Sequence, residues 1–106
     1  MFVSSPMKAQ EILQLHPLLS DRVRLAIMAA LATSASEVDF SSLLKALELS
    51  KGNLSSHLRK LEDAGLIEVK KEFVERKPRS CYRCSSSGRV EVRRYLASLE
   101  RALKGI

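Results

Sequence analysis

Apolar residues recur along this chain at helical spacing in several segments and at strand spacing in one. Between Met7 and Leu15, the residues Ile12, Leu13 and Leu15 form a short stripe that Pro17 interrupts, which predicts an N-terminal helix over 7–17. Ser20 and Asp21 read as a cap and acidic first turn for a helix from Asp21 to Thr33, with a wide stripe of Val23, Leu25, Ala26, Ile27, Ala30 and Leu31 facing inward. Val38, Asp39 and Phe40 predict a very short strand. Ser41 then caps a helix running to Leu49, with Leu43, Leu44 and Leu47 inside.

The next segment has the sharpest division between its faces. Ser50 reads as its cap, and Gly65 as its end, because glycine enters the left-handed conformation without steric cost. At about 100° per residue, Leu54, Leu58 and Leu61 converge on one side. Gly52, Ser56, Arg59 and Asp63 lie opposite, flanked by Asn53, Ser55 and Lys60. The outward face is small, hydrogen-bonding and basic. Residues 66–72 carry the β-branched content of a strand, and residues 73–79 form a basic tip in which Pro78 opposes further pairing. Residues 80–84 return as the partner strand. A last helix is expected over 86–104, capped by the serines at 85–87, with Val92, Leu96, Leu99 and Leu103 spaced 4, 3 and 4.

With 106 residues the chain has room for one domain, expected over 1–106, with a core at 20–84. The fold class expected is mainly α with a small antiparallel β-hairpin. An apolar fraction of 45% against 28% charged residues excludes a disordered chain. No apolar run approaches the roughly 18 residues of a membrane span, no secretory leader opens the sequence, and a cytoplasmic, nucleoid-associated protein is expected. The formal charge of +6 is unevenly spread. Residues 1–50 hold 4 basic and 5 acidic groups, whereas residues 51–94 hold 12 and 6. General attraction to polyanions thus becomes a local property of the segment with the basic helix and the hairpin.

Helix, short turn, helix and basic hairpin is the order of a winged helix-turn-helix. A B-form major groove about 12 Å wide admits one helix, and Gly52, Ser55 and Ser56 keep bulk low where its N-terminus would meet the duplex. Asn53 and Arg59 are the candidates for base readout, of adenine and guanine respectively. Ser50, Lys51, Ser56 and Lys60 would hold the backbone. Lys71, Arg76, Lys77 and Arg79 of the hairpin would lie along the flanking minor groove or its phosphates. The stripe of Val92, Leu96, Leu99 and Leu103 suits either packing onto the domain or a dimer seam; the seam is preferred, joined by Ile12 and Leu13 between N- and C-terminal dimerisation helices, because so small a domain has little face left to bury a long final helix.

The run Ser50-Lys51-Gly52-Asn53-Leu54-Ser55-Ser56-His57-Leu58-Arg59-Lys60-Leu61-Glu62-Asp63-Ala64-Gly65-Leu66-Ile67, followed by a Lys-rich strand and Arg76-Lys77-Pro78-Arg79, resembles small prokaryotic winged-helix transcriptional regulators related to the MarR and ArsR groups. The likeness extends from about Leu18 to Leu96. It implies a cytoplasmic homodimer on double-stranded operator DNA, with room for a small-molecule effector. In such regulators the segment after the wing often reads Tyr-x-Leu-Thr-x-x-Gly-Arg. Here it is Tyr82-Arg83-Cys84-Ser85-Ser86-Ser87-Gly88-Arg89, with Cys84 at a small core position.

The cysteines and histidines admit other readings. Cys81 and Cys84 look like half a zinc knuckle, but on a regular strand residues three apart face opposite ways, so neither metal nor any other cofactor is expected. His57 flanks the apolar stripe and suits a structural or phosphate contact, and His16 before Pro17 suits a helix end. Neither a phosphate loop nor a nucleophile and base pair is present, which argues against an enzyme. The expected function is a sequence-specific repressor. The alternatives are a winged-helix protein-interaction module and a low-specificity architectural protein of chromatin.

Overall fold

The computed structural model describes residues 7–106, so the first six residues of the expected domain lie outside the described ones. The chain runs α1 (Met7–Gln10), two 3-10 turns (Glu11–Gln14 and Pro17–Ser20), α2 (Arg22–Ala32), β1 (Val38–Asp39), α3 (Phe40–Leu47), α4 (Lys51–Asp63), β2 (Ile67–Val74), β3 (Lys77–Cys84) and α5 (Ser86–Ala102). The three strands form an antiparallel sheet in the order β1-β3-β2.

The expected 7–17 helix breaks into one α-helical turn and a 3-10 turn because Leu15 is extended ahead of Pro17. His16 does not end that helix. Its Nδ1 accepts from the Leu18 N–H and opens the next turn. Asp21 is the N-cap of α2, accepting from the Val23 and Arg24 amides at 2.8 and 3.0 Å. Ala26, placed inward by the sequence pattern, is exposed, while Met28 is fully buried. α3 starts two residues earlier than a Ser41 cap would place it, with Asp39 at the N-cap before Phe40, and it ends in a left-handed Glu48 rather than reaching Leu49.

Leu19, Ile27, Met28, Leu31, Leu43, Leu54, Leu58, Leu61, Leu66, Ile67, Cys84 and Val92 form the core. It therefore draws on every long element. At the end of α4, Gly65 has φ +74, its N–H bonds the Glu62 carbonyl at 2.9 Å, and the Leu66 N–H bonds the Leu61 carbonyl at 3.0 Å. This is a Schellman closure, with Leu66 and Leu61 both buried beneath it. The same turn docks α5. Ser85 N–H donates to the Leu66 carbonyl at 3.0 Å, and the Ser85 and Ser87 hydroxyls donate to the Gly65 carbonyl at 2.6 and 3.0 Å. Gly88 lies so close to the Leu66 carbonyl that a Cβ there would overlap it.

The hairpin is longer than the sequence pattern suggested. β2 and β3 pair from Ile67 with Cys84 out to Val74 with Lys77, and the turn is only Glu75 and Arg76, at φ 52 and 67. Two successive positive φ values mark the primed two-residue turn whose twist matches the strands. Pro78 does not stop the ladder. Val74 and Lys77 flank the turn as the hydrogen-bonded pair, so Phe73 and Pro78 form the next, non-hydrogen-bonded pair. The N–H that proline lacks would have pointed to the open edge of β3, which β1 covers only at Cys81 and Tyr82.

Candidate nucleic-acid interface

α4 presents the face its sequence predicts. Leu54, Leu58 and Leu61 are buried, while Lys51, Gly52, Asn53, Ser55, Ser56, Arg59 and Lys60 are exposed. Ser50 Oγ accepts the Asn53 N–H at 3.2 Å and caps the helix. Around Gly52 nothing lies within 4 Å of an added Cβ, so the start of the helix is open to a close approach. A shallow depression of about 330 Å³ runs along the exposed side, lined by Ser55, Ser56, Arg59, Lys60 and Asp63. Its lining combines two hydroxyls with two cations and one carboxylate.

Arg24, which sequence reasoning did not single out, ties this helix to α2 through His57. Arg24 on α2 donates from Nε to the Leu18 carbonyl at 2.8 Å, and its Nη1 lies 3.2 Å from His57 Nδ1 on α4. An acceptor Nδ1 puts the imidazole proton on Nε2. Backbone hydrogen bonds from Arg24 and Val23 hold the Asp21 carboxyl below its ordinary value of 3.8, with the Arg24 charge adding attraction, against some desolvation. The signal in the sequence was only indirect: Arg24 interrupts an apolar stripe.

Lys71, Arg76, Lys77 and Arg79 are all exposed on the wing, and none makes an ion pair among the described residues. Nearer the sheet's base the cations are engaged. Lys70 lies 3.6 Å from both Glu37 and Glu72, and Arg83 lies 3.3 Å from Glu68. Lys70, Glu37, Arg83 and Glu68, with Arg89, whose Nη1 donates to the Ala32 carbonyl at 3.1 Å, line a larger groove of about 780 Å³. Its positive charges already have partners, whereas those of α4 and the outer wing do not.

Both cysteines are buried and free. Cys84 joins the core, and burial pushes its thiol up, away from thiolate chemistry. Cys81 lies with its sulfur 4.0 Å from a Glu72 carboxyl oxygen. Among the described residues no group of three metal-type side chains converges, and no helix is long and apolar enough to cross a membrane.

The residues assigned to a dimer seam divide. Leu13 is 84% exposed, and Leu96 and Leu103 are each 51% exposed. Ile12 and Leu99 are half-buried. Val92 is a correction: it is buried in the core of its own chain, because the first turns of α5 lie against the Leu66 turn, and only the later turns run beyond it. Those later turns pack on the N-terminal segment, where Arg101 reaches one Glu11 carboxyl oxygen at 2.9 and 3.0 Å and Ser98 at 3.2 Å.

Comparison with known proteins agrees with this geometry. The chain is 36% identical to a transcriptional regulator homologue from Pyrococcus horikoshii OT3, whose structure superposes with a TM-score of 0.82 over 93% of this chain and 96% of that one. An uncharacterised protein of Methanocaldococcus jannaschii is 32% identical over 84 residues, which are 79% of this chain and 90% of that protein. AbsC, a MarR family transcriptional regulator from Streptomyces coelicolor, shares the fold at a TM-score of 0.64 and 20% identity, over 92% of this chain and 72% of its own. Residues 23–103, from α2 through the last helix, match the winged helix DNA-binding domain, and this chain belongs to that family of DNA-binding regulators rather than to an enzyme family.

Proposed function

We propose that this chain is a sequence-specific repressor that occupies an operator as a homodimer. One observation carries the reading: Lys51, Arg59 and Lys60 on the exposed side of α4 and Lys71, Arg76, Lys77 and Arg79 on the outer wing lie beside small hydrogen-bonding residues and make no ion pair among the described residues, while Lys70 and Arg83 nearer the base of the sheet are neutralised by neighbours. α4 would enter the major groove, with Asn53 and Arg59 reading base edges. Ser50, Lys51, Gly52, Ser55, Ser56 and Lys60 would sit against the backbone or the groove floor. Lys71, Arg76, Lys77 and Arg79 would follow the flanking phosphates.

The dimer is supported by shape and by exposed leucines. A compact domain of this length has a radius of gyration of about 13 Å. This chain has 16.4 Å and extends 67 × 25 × 23 Å. Leu13, Leu96, Leu103 and Ile106 leave apolar surface uncovered on the terminal segments, which a two-fold partner would bury. A dimer would then set two copies of α4 on half-sites about one helical turn apart. Selection of duplexes from a random pool, followed by titration against scrambled controls, tests the proposal. Enrichment of a two-fold symmetric sequence is expected. Equal affinity for selected and scrambled duplexes would instead identify an architectural protein, and absence of duplex binding a protein-interaction module.

A further inference from the structure

Phe73 is 78% exposed, an unusual position for an aromatic side chain. Strand alternation places it with Lys71 on β2, directly opposite Pro78 and Ser80 on β3. This is the sheet face that also carries Ile67, Tyr82 and Cys84, and so the face turned to α4: Ile67 and Cys84 join the α4 leucines in the core. The Tyr82 phenol is pushed up first by burial, eased by Ser80 and raised again by Glu62 of α4. Phe73 and Pro78 thus form one apolar platform, outside the core, on the same side as the proposed recognition surface. Lys71 shares this face and Arg76 stands in the turn beside it, while Lys77 and Arg79, opposite Val74 and Glu72, lie on the other face of the hairpin.

An exposed apolar patch with a charged rim marks a contact site. Lys71 and Arg76 beside this one, without an ion pair among the described residues, repel a second copy and select a polyanionic occupant. We infer that the Phe73 ring and the Pro78 pyrrolidine pack against deoxyribose faces along the minor-groove wall, held there by phosphate contacts from Lys71 and Arg76. Sugar carbons are the apolar surface that a duplex offers between its phosphates. The wing therefore contributes a salt-independent component of binding beside its electrostatic one. The inference rests on the reading of the chain as a duplex-binding regulator, and it assigns Phe73 and Pro78 a role in that binding which charge alone would not suggest.

The test is a titration of selected duplex at several salt concentrations, with calorimetry, for the wild-type chain, Phe73→Thr, Phe73→Trp and Lys77→Ala. Threonine keeps a strand-forming residue, and at so exposed a position the fold is retained, which the melting curve verifies. Phe73→Thr is expected to weaken binding about tenfold at every salt concentration, with the slope of log K against log salt unchanged and a less negative heat-capacity change. Phe73→Trp restores both. Lys77→Ala instead lowers the slope by about one. Unchanged affinity and heat capacity for Phe73→Thr, beside a flattened slope for Lys77→Ala, would overturn the inference and leave the regulator reading intact. Loss of self-association in Phe73→Thr without DNA would also overturn it. A wild-type chain with no salt-dependent duplex binding would remove the underlying reading itself.

Discussion

Two glycines on neighbouring elements predict opposite outcomes for the same substitution. At Gly88 an added Cβ would overlap the Leu66 carbonyl and approach Met28 Cε at 3.1 Å. The obstruction is backbone, so relief requires α5 to withdraw from the turn after α4. Withdrawal stretches the Ser85 N–H bond to Leu66 and the Ser85 and Ser87 hydroxyl bonds to Gly65. Each such neutral bond contributes about 1 kcal/mol, and overpacking costs a further 1–3 kcal/mol or so. Alanine's better helix propensity returns about 1 kcal/mol. With some of the bonds only weakened, Gly88→Ala should lose about 3 kcal/mol, or roughly 10–20 °C in melting temperature for a domain of this size. Gly52 has open space around it, so Gly52→Ala should gain about 0.5–1 kcal/mol while weakening DNA binding, because the new methyl stands where the helix start approaches the duplex. Thermal and urea unfolding of the two variants side by side measure both signs. A Gly88→Ala protein that melts within about 2 °C of the wild type would refute the close-packing argument.

Replacing Arg59 by Ala should cost about 1–3 kcal/mol and relax preference at one base pair; an equal loss on every duplex, read by competition with single-base variants, would assign Arg59 to the backbone. Substituting Leu96 and Leu103 together by Glu, at positions half-exposed in the single chain, should leave the melting of the fold nearly unchanged and yield a monomer in sedimentation, with binding to a two-fold site much reduced. Asp21 has a depressed folded-state value, so its contribution to stability is fully present above its unfolded value near 3.8 and is lost as pH falls through the lower folded value. Urea midpoints between pH 5 and pH 2.5 or so should therefore fall more steeply for the wild type than for Asp21→Asn, which keeps a capping side chain without the titration.

Much of this architecture was legible because local chemistry and tertiary packing agree. Ser50 and Gly65 mark the ends of α4 by mechanisms that need no partner, a hydroxyl cap and a left-handed closure, and the leucines at 54, 58 and 61 fix its buried side. The wing was harder. Pro78 reads as a breaker until its register is known, and only pairing with Phe73 at a non-hydrogen-bonded position next to a one-sided strand makes it harmless. Glu75 and Arg76 carry no glycine to announce a turn with positive φ at both positions. Val92 was misplaced because the 4, 3, 4 spacing continues through α5 while the core does not: the helix leaves the domain partway along. Arg24 and Gly88 act through contacts 33 and 22 positions away in sequence, with His57 and Leu66, and no local pattern reports those.

The lock at Leu66 also bears on how such a protein would measure DNA. α4 ends and α5 begins on shared hydrogen bonds, so the helix proposed to read bases and the helix proposed to carry the seam cannot tilt independently. From Ser86 to Ala102, α5 is a lever of about 25 Å at 1.5 Å per residue. A tilt of about 10° at its root would displace the far end by roughly 4 Å, more than the rise of one base pair, about 3.4 Å. Half-site spacing in the proposed dimer would therefore depend on the stiffness of the Gly65 to Gly88 junction as well as on the leucines of the seam. A side chain at position 88 would cost the fold its packing and loosen that junction.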